Sequence, residues 1–434
     1  MNPSVSASHR QVYHKTLLDN GLRIVSAPRH DAESVSVGLW IGAGGRYENS
    51  RLNGVSHFLE HLLFKGTKNR TSRQIKESIE GAGGSLNAFT DEEYTCVLAK
   101  VLPEDLESTV EILTDMVLHA SLEEREIEKE RQVIMEEIRM YKDLPMQYVH
   151  DLLNRLLWPD HPLGMDLTGT ERSVGRISRS DLVSYHRRFY TPRNVVIAAC
   201  GRLSHRALVD TVRRFWDRLA PGTRHVSRRP RQRQSRPRLK IEFKETEQTH
   251  FSIGFHAFPR NHPHVYALSL LNVILGGNMS SRLFQKVRED RGLAYEIGSQ
   301  IKRYRDTGYF SVSAGVEHKH FFQSLQVVLK ELMRIRREAV TGKEFEQAKE
   351  FLNGQILFAL EDTMEHMSWI GECEMTLEEI QPAEKILQQI AQVRRSDLTN
   401  VARQVVRRQH LNLALIGPVK KEGYSRIAGT LEES

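Results

Sequence analysis

The feature that most constrains this chain is an internal repeat at a spacing of 216 residues. Arg179-Ser180-Asp181-Leu182 recurs as Arg395-Ser396-Asp397-Leu398. In each copy a Gly follows the Asp by twenty positions, Gly201 after VVIAAC and Gly417 after LNLALI. Gly38 in SVGLWI pairs with Gly254 in SIGFHA at the same spacing. Three anchors at one offset argue for a duplicated unit, so the 434 residues are expected to build two related domains with separate cores.

Within the first copy, residues 12–27 read as two strands around Asp19-Asn20-Gly21, and Val35–Ile41 as a third. A helix over His57 and another over about Ser72–Glu80 follow. Next come a hairpin of Ser85–Thr90 with Tyr94–Val101 and long helices near 103–119 and 123–142. A helix at 179–189 leads into the apolar strand Val195–Cys200. Strand-rich and helix-rich blocks of this kind predict an α+β fold, each domain a mainly antiparallel sheet with helices packed on one face. The expected division is 1–220, a linker at 221–240, and a second domain at 241–434.

The net charge of +7 looks like a signal for nucleic acid until it is located. Residues 221–240 hold seven Arg, one Lys and no acid, so the rest of the chain is close to neutral. Such a Pro- and Arg-rich run reads as an exposed linker; binding of a polyanion is the competing reading. No aromatic residue interleaves it, so nucleic acid is not the expected partner. Cys96, Cys200 and Cys373 are scattered and odd in number, which fits buried thiols in a reducing compartment. No apolar run is long enough to span a bilayer, and the N-terminus has no apolar signal core. A bacterial-type cytoplasm is the expected location. The mitochondrial matrix is the second choice, because no acid precedes Asp19.

Chemistry concentrates in Asn53-Gly-Val-Ser-His57-Phe-Leu-Glu60-His61-Leu-Leu-Phe-Lys-Gly66. Val55, Phe58, Leu59, Leu62 and Leu63 follow amphipathic helical spacing, with Asn53 the expected N-cap and Gly66 the stop. His57 and His61 then stand one turn apart on another stripe, close enough to hold one ion, with Glu60 beside them as a base for water. This is the H-x-x-E-H arrangement, which by itself fits an exposed polar face equally well. A catalytic zinc needs a third protein ligand. In helix 123–142, Glu130 and Glu137 share a stripe with Val133, Ile134, Ile138 and Tyr141. Carboxylates on an apolar stripe need a cation or strong donors, although a wet edge or partners among Arg and Lys would serve as well.

The segments DNGLRIV, SVSVGLWIGAGGRYE, GVSHFLEHLLFKGT, GGSLNAFTDEEYT, IEKERQVIMEEI, YTPRNVVIAACG and LGGNMSSRLFQKVREDRGLAY resemble the pitrilysin (M16) metallopeptidases. The likeness is to the half-size group that includes mitochondrial processing peptidase and its bacterial relatives. It implies a zinc endopeptidase with one Zn²⁺ per subunit, held by His57, His61 and Glu137, with Glu130 in an outer shell. It further implies that substrate adds as a strand along Asn87, Ala88 and Phe89, and that Arg288 and Tyr295 reach the scissile bond. Subunits of that group pair around a chamber for unfolded peptides. A homodimer is the simpler expectation, and a heterodimer with a related subunit is the other. The second copy places Val273, Gly276 and Gly277 where His57, Glu60 and His61 stand, so it holds no ligands. The competing class is a non-catalytic substrate-binding or structural subunit of the same fold.

Overall fold

The computed structural model describes residues 12–420 and 422–433, so most of the acid-free N-terminal stretch lies outside the described residues. Two compact units are present, each built on one sheet.

The first unit holds strands β1 (His14–Leu17), β2 (Arg23–Pro28), β3 (Val35–Ile41), β4 (Ser85–Thr90), β5 (Thr95–Val101) and β6 (Val195–Gly201). Their order is β1-β2-β6-β3-β5-β4. Every pairing is antiparallel except β2 with β6. The second sheet comprises β7 (Arg238–Phe243), β8 (Thr249–Ala257), β9 (Ala294–Arg303), β10 (Gly308–Val316) and β11 (Asn412–Gly417), in the order β7-β11-β8-β10-β9. Its single parallel pairing, β7 with β11, occupies the place of β2 with β6. The repeat is therefore a repeat of topology, and among the described residues β1 has no counterpart in the second copy.

Two expectations need correction. Helices were expected on one face of each sheet, yet β3 and β6 are buried at every residue. Alternate side chains of the first sheet, including Trp40, Cys96, Val196 and Ala198, pack with Met367 and Ile370 of the helix Thr363–Thr376. The intervening residues Leu39, Val97 and Ile197 are buried as well, and a second helix, Leu106–His119, lies against β3 and β5. Both faces are covered, which is why VVIAAC reads as an unbroken apolar run rather than an alternating one.

The second correction concerns the division of the chain. The first unit comprises residues 1–135, 167–227 and 356–386, and the second comprises 136–166, 228–355 and 387–434. The two copies exchange a helix. Pro145–Leu157, from the first half of the sequence, packs on β8 and β11, while Thr363–Thr376, from the second half, packs on β2, β3 and β6. The paired glycines permit the close approach. A Cβ at Gly38 would lie 2.9 Å from Met367 Sδ, and one at Gly254 would lie 2.8 Å from both Leu153 methyls. The linker is also shorter than 221–240, because β7 begins at Arg238. No disulfide joins the three cysteines. No described helix is long and apolar enough to cross a membrane.

Candidate metal centre

Helix α1 spans Val55–Leu63. Val55, Phe58, Leu59, Leu62 and Leu63 are at most 1 % exposed. Burying five such side chains contributes roughly 10 kcal/mol before conformational entropy. That outweighs the roughly 1–3 kcal/mol cost of taking a neutral imidazole such as that of His57 out of water. The helix can thus carry a polar stripe into a packed setting.

The cap differs from expectation. Gly54 occupies the N-cap at φ +91°, where a Cβ would meet the Thr168 carbonyl at 2.6 Å. The cap acceptor is the buried Glu48 carboxylate, which receives the N–H groups of Gly54 (2.7 Å) and Ser56 (2.9 Å) and the Asn53 Nδ2 amide (3.2 Å). A carboxylate suits a helix N-terminus because it satisfies first-turn donors and opposes the helix dipole. Burial nevertheless pushes the Glu48 pKa up, against the pull of those donors. Glu48 therefore fixes where α1 begins, and with it the height of His57, Glu60 and His61. The helix ends at Leu63, ahead of Gly66, which itself adopts φ +114°.

Helix α2 (Ser72–Glu80) and helix α3 (Leu106–His119) precede helix α4 (Glu124–Asp143). Ile127, Glu130, Arg131, Ile134 and Ile138 form the buried seam of α4, while Val133 is 49 % exposed and stands off the stripe assigned to it from spacing. The Arg131 guanidinium lies 5.3 Å from the centre of the Phe58 ring and ties α4 to α1. Glu128 and Glu136 are solvated and pair with Arg131 and Arg139 on their own helix. The boundary between the compact units falls inside α4, after Met135, so Glu137 is set two residues further along by the unbroken helix.

Donor atoms of His57, His61 and Glu137 lie within 4.8 Å of one another. The two imidazole centroids are 4.6 Å apart with planes at 65°. Burial first, and the neighbouring His61 second, hold the His57 pKa down at about 3, so its ring is neutral and carries a lone pair at neutral pH. Glu130, 5 % exposed, faces His61 Nδ1 at 3.2 Å through Oε2 and Lys65 Nζ at 2.6 Å through Oε1. A carboxylate at Nδ1 makes that nitrogen the proton carrier and leaves Nε2 free to coordinate an ion. Two imidazoles and a carboxylate, one imidazole braced from behind, suit a catalytic zinc. Both open readings of Glu130 are realised at once, since it meets a lysine and a histidine of the cluster.

Glu60 leaves α1 one residue before His61 and is partly buried. Its charge, after burial, helps push up the pKa of the Tyr190 phenol and the Cys96 thiol. Glu60 therefore has a buried phenol and thiol in its surroundings. Tyr190 and Lys65 were missed from sequence; the fourth position after His61 was the available signal for Lys65.

Asn87, Ala88 and Phe89 lie on β4, the edge strand of the first sheet, and α1 packs beside it. Asn87 Oδ1 accepts the Ala88 N–H at 2.8 Å, and the Phe89 ring rests edge-on against Trp40 and Tyr94. Arg288 and Tyr295 belong to the second unit. The Arg288 guanidinium sits 5.4 Å from the Tyr295 ring centre and 4.8 Å from that of Phe284. Tyr295 is 77 % exposed, so the two form a presented pair.

The family described as Insulinase (Peptidase family M16) matches residues 23–171, and the Peptidase M16 inactive domain matches residues 176–352. The uncharacterized zinc protease YmxG of Bacillus subtilis is 38 % identical over 399 residues, covering 92 % of this chain and 97 % of the relative. The uncharacterized zinc protease Rv2782c of Mycobacterium tuberculosis is 39 % identical over 409 residues, covering 93 % of each. Among solved structures, a protease from Helicobacter pylori superimposes with a TM-score of 0.88 at 22 % identity, covering 94 % of this chain and 100 % of that one.

Proposed function

This chain belongs to peptidase family M16, and on that premise we propose that it is a zinc endopeptidase acting on unfolded or extended peptides. The observation that carries the reading is the convergence of His57, His61 and Glu137 within 4.8 Å, with Glu60 on the helix that bears both histidines. These three side chains would hold Zn²⁺, which when bound supplies a Lewis acid that polarises the scissile carbonyl and acidifies a water. Glu60 takes a proton from the attacking water as the new C–O bond forms. It then delivers that proton to the amine as the C–N bond breaks. Glu130 keeps the proton of His61 on Nδ1. Asn87–Phe89, on an open sheet edge, accept an extended peptide through main-chain hydrogen bonds, which favours backbone shape over side-chain identity. Arg288 and Tyr295 donate to the oxyanion that develops on the scissile carbonyl.

Two subunits enclose the cleavage chamber, and a homodimer is the simplest assembly because one chain carries both the metal donors and the Arg–Tyr pair. The bacterial cytoplasm is the proposed location. The test is zinc content and peptide cleavage of wild type beside Glu60→Gln. Retained zinc with turnover lowered at least about a hundredfold is expected. Equal turnover in the two proteins removes Glu60 from the mechanism. A wild-type chain that binds no metal and cleaves nothing supports a non-catalytic subunit of the same fold.

A further inference from the structure

The basic segment after the first copy is not a loose tether. With the loop that follows Leu157 it walls a cavity of about 560 Å³, lined among others by Trp158, Asp160, Arg229, Arg231, Arg233 and His256. All of these belong to the second unit. The segment is pinned at several points. His161 Nδ1 accepts the Leu163 N–H at 3.1 Å, so its Nε2 carries the proton and donates to the Arg228 carbonyl at 2.8 Å. Gln234 is buried, donates to the Leu411 carbonyl at 3.1 Å, and accepts from Asn412 Nδ2 at 3.1 Å. The Arg238 guanidinium donates to the Leu156 carbonyl at 2.5 Å.

Arg229, Arg231 and Arg233 fall at every second position, as one side of an extended chain requires. None of the three makes an ion pair or a hydrogen bond among the described residues. Asp160 is the one acidic residue lining the cavity. All three are exposed, so water and salt screen part of their mutual repulsion, and an anion seated among them would relieve the rest. Trp158, 3 % exposed, also lines the cavity, with its indole N–H sealed from solvent. A cavity of this volume falls in the range that takes small ligands. The absence of aromatic residues within the basic segment argues against a long single strand of nucleic acid.

We propose that this cavity is a binding site for a compact, multiply charged phosphate anion, held by Arg229, Arg231 and Arg233. Guanidinium forks match phosphate oxygens two at a time, which a carboxylate-bearing peptide would engage less densely. The site shares no residue with the metal centre or the substrate strand, so it stands or falls separately from the hydrolytic reading.

The probe is tripolyphosphate, titrated calorimetrically into the full chain at low and moderate salt, with tryptophan fluorescence as a local readout. Saturable binding of one molecule per chain is expected, weakening as salt rises. Replacing Arg229, Arg231 and Arg233 together by Gln lowers affinity at least about tenfold, on the scale of one lost charge-assisted contact. Replacing Arg73, Arg206 and Arg213 by Gln makes the same change in net charge on the other unit and leaves affinity unchanged. Asp160→Asn tightens binding, and Trp158→Phe removes the fluorescence response. Equal losses in the two triple variants, or no saturable binding at low salt, overturn the proposal. An oligonucleotide that binds more tightly than tripolyphosphate, with several chains per strand, overturns it in favour of an extended surface.

Discussion

Glu130→Gln tests how His61 is held. The wild-type carboxylate accepts from His61 Nδ1 at 3.2 Å and from Lys65 Nζ at 2.6 Å, one oxygen to each. A carboxamide of the same shape has one acceptor oxygen, so its NH₂ must face either the imidazole N–H or the ammonium group. Lys65 is 29 % exposed and can turn toward water, whereas His61 would pass the loss on to any metal ion it holds. Removing an outer partner of a coordinating imidazole weakens metal affinity by about 10- to 100-fold, which is about 1.4–2.8 kcal/mol. The assay is zinc competition against a chromogenic chelator at pH 7.5, comparing wild type, Glu130→Gln and Lys65→Met. Glu130→Gln is expected to lose affinity in that range while cleaving peptide at near wild-type rate once zinc is saturating. Lys65→Met is expected to lose less. Wild-type zinc affinity in Glu130→Gln would refute the argument, since the carboxylate would then only be pairing with Lys65.

Two further outcomes concern stability. Gly254→Ala drives a Cβ to within 2.8 Å of both branches of Leu153, whereas Gly38→Ala meets the flexible Met367 thioether at 2.9 Å. Urea unfolding is therefore expected to show a loss of about 1–3 kcal/mol for Gly254→Ala and a smaller one for Gly38→Ala; equal losses would mean that the helices do not bear on those glycines as described. Burial, and then Arg29, hold the pKa of His366 at about 4 against an ordinary 6.5, so protonation favours the unfolded chain. Stability is full above pH 6.5 and is lost as pH falls toward 4, by up to about 3 kcal/mol from this group. His366→Gln is expected to flatten the fall in urea midpoint between pH 7 and pH 4.5, and an unchanged slope would show that His366 is not the group titrating.

What could be read from the sequence was what local spacing encodes. Val35–Ile41 and Ser72–Glu80 emerge with the bounds expected of them, because apolar periodicity and turn residues act over a few positions. Three anchors at one offset revealed the duplicated sheet, and helical spacing put Glu130 and Glu137 on one stripe, about two turns apart. The exchange of Pro145–Leu157 for Thr363–Thr376 left no such trace. Periodicity marks which face of a helix is apolar and is silent about which sheet covers it. The same limit hid Glu48. A cap normally comes from the residue at the helix start, which pointed to Asn53, whereas here the acceptor reaches back from the preceding loop. Val133 misled for a third reason: Ile127, Glu130, Arg131, Ile134 and Ile138 centre the buried seam about a third of a turn away from it. The linker looked like a tether because charge runs usually are, and its anchoring through His161 and Gln234 depends on partners far away in sequence.

The central claim is that two imidazoles from α1 and one carboxylate from α4 grip a single ion. X-ray absorption at the zinc edge, on the full chain loaded with one equivalent, tests it most directly. Two imidazole nitrogens and a carboxylate oxygen are expected at about 2.0–2.2 Å, with the carboxylate contribution lost in Glu137→Gln. A thiolate shell at about 2.3 Å, or a spectrum unchanged by Glu137→Gln, would contradict it.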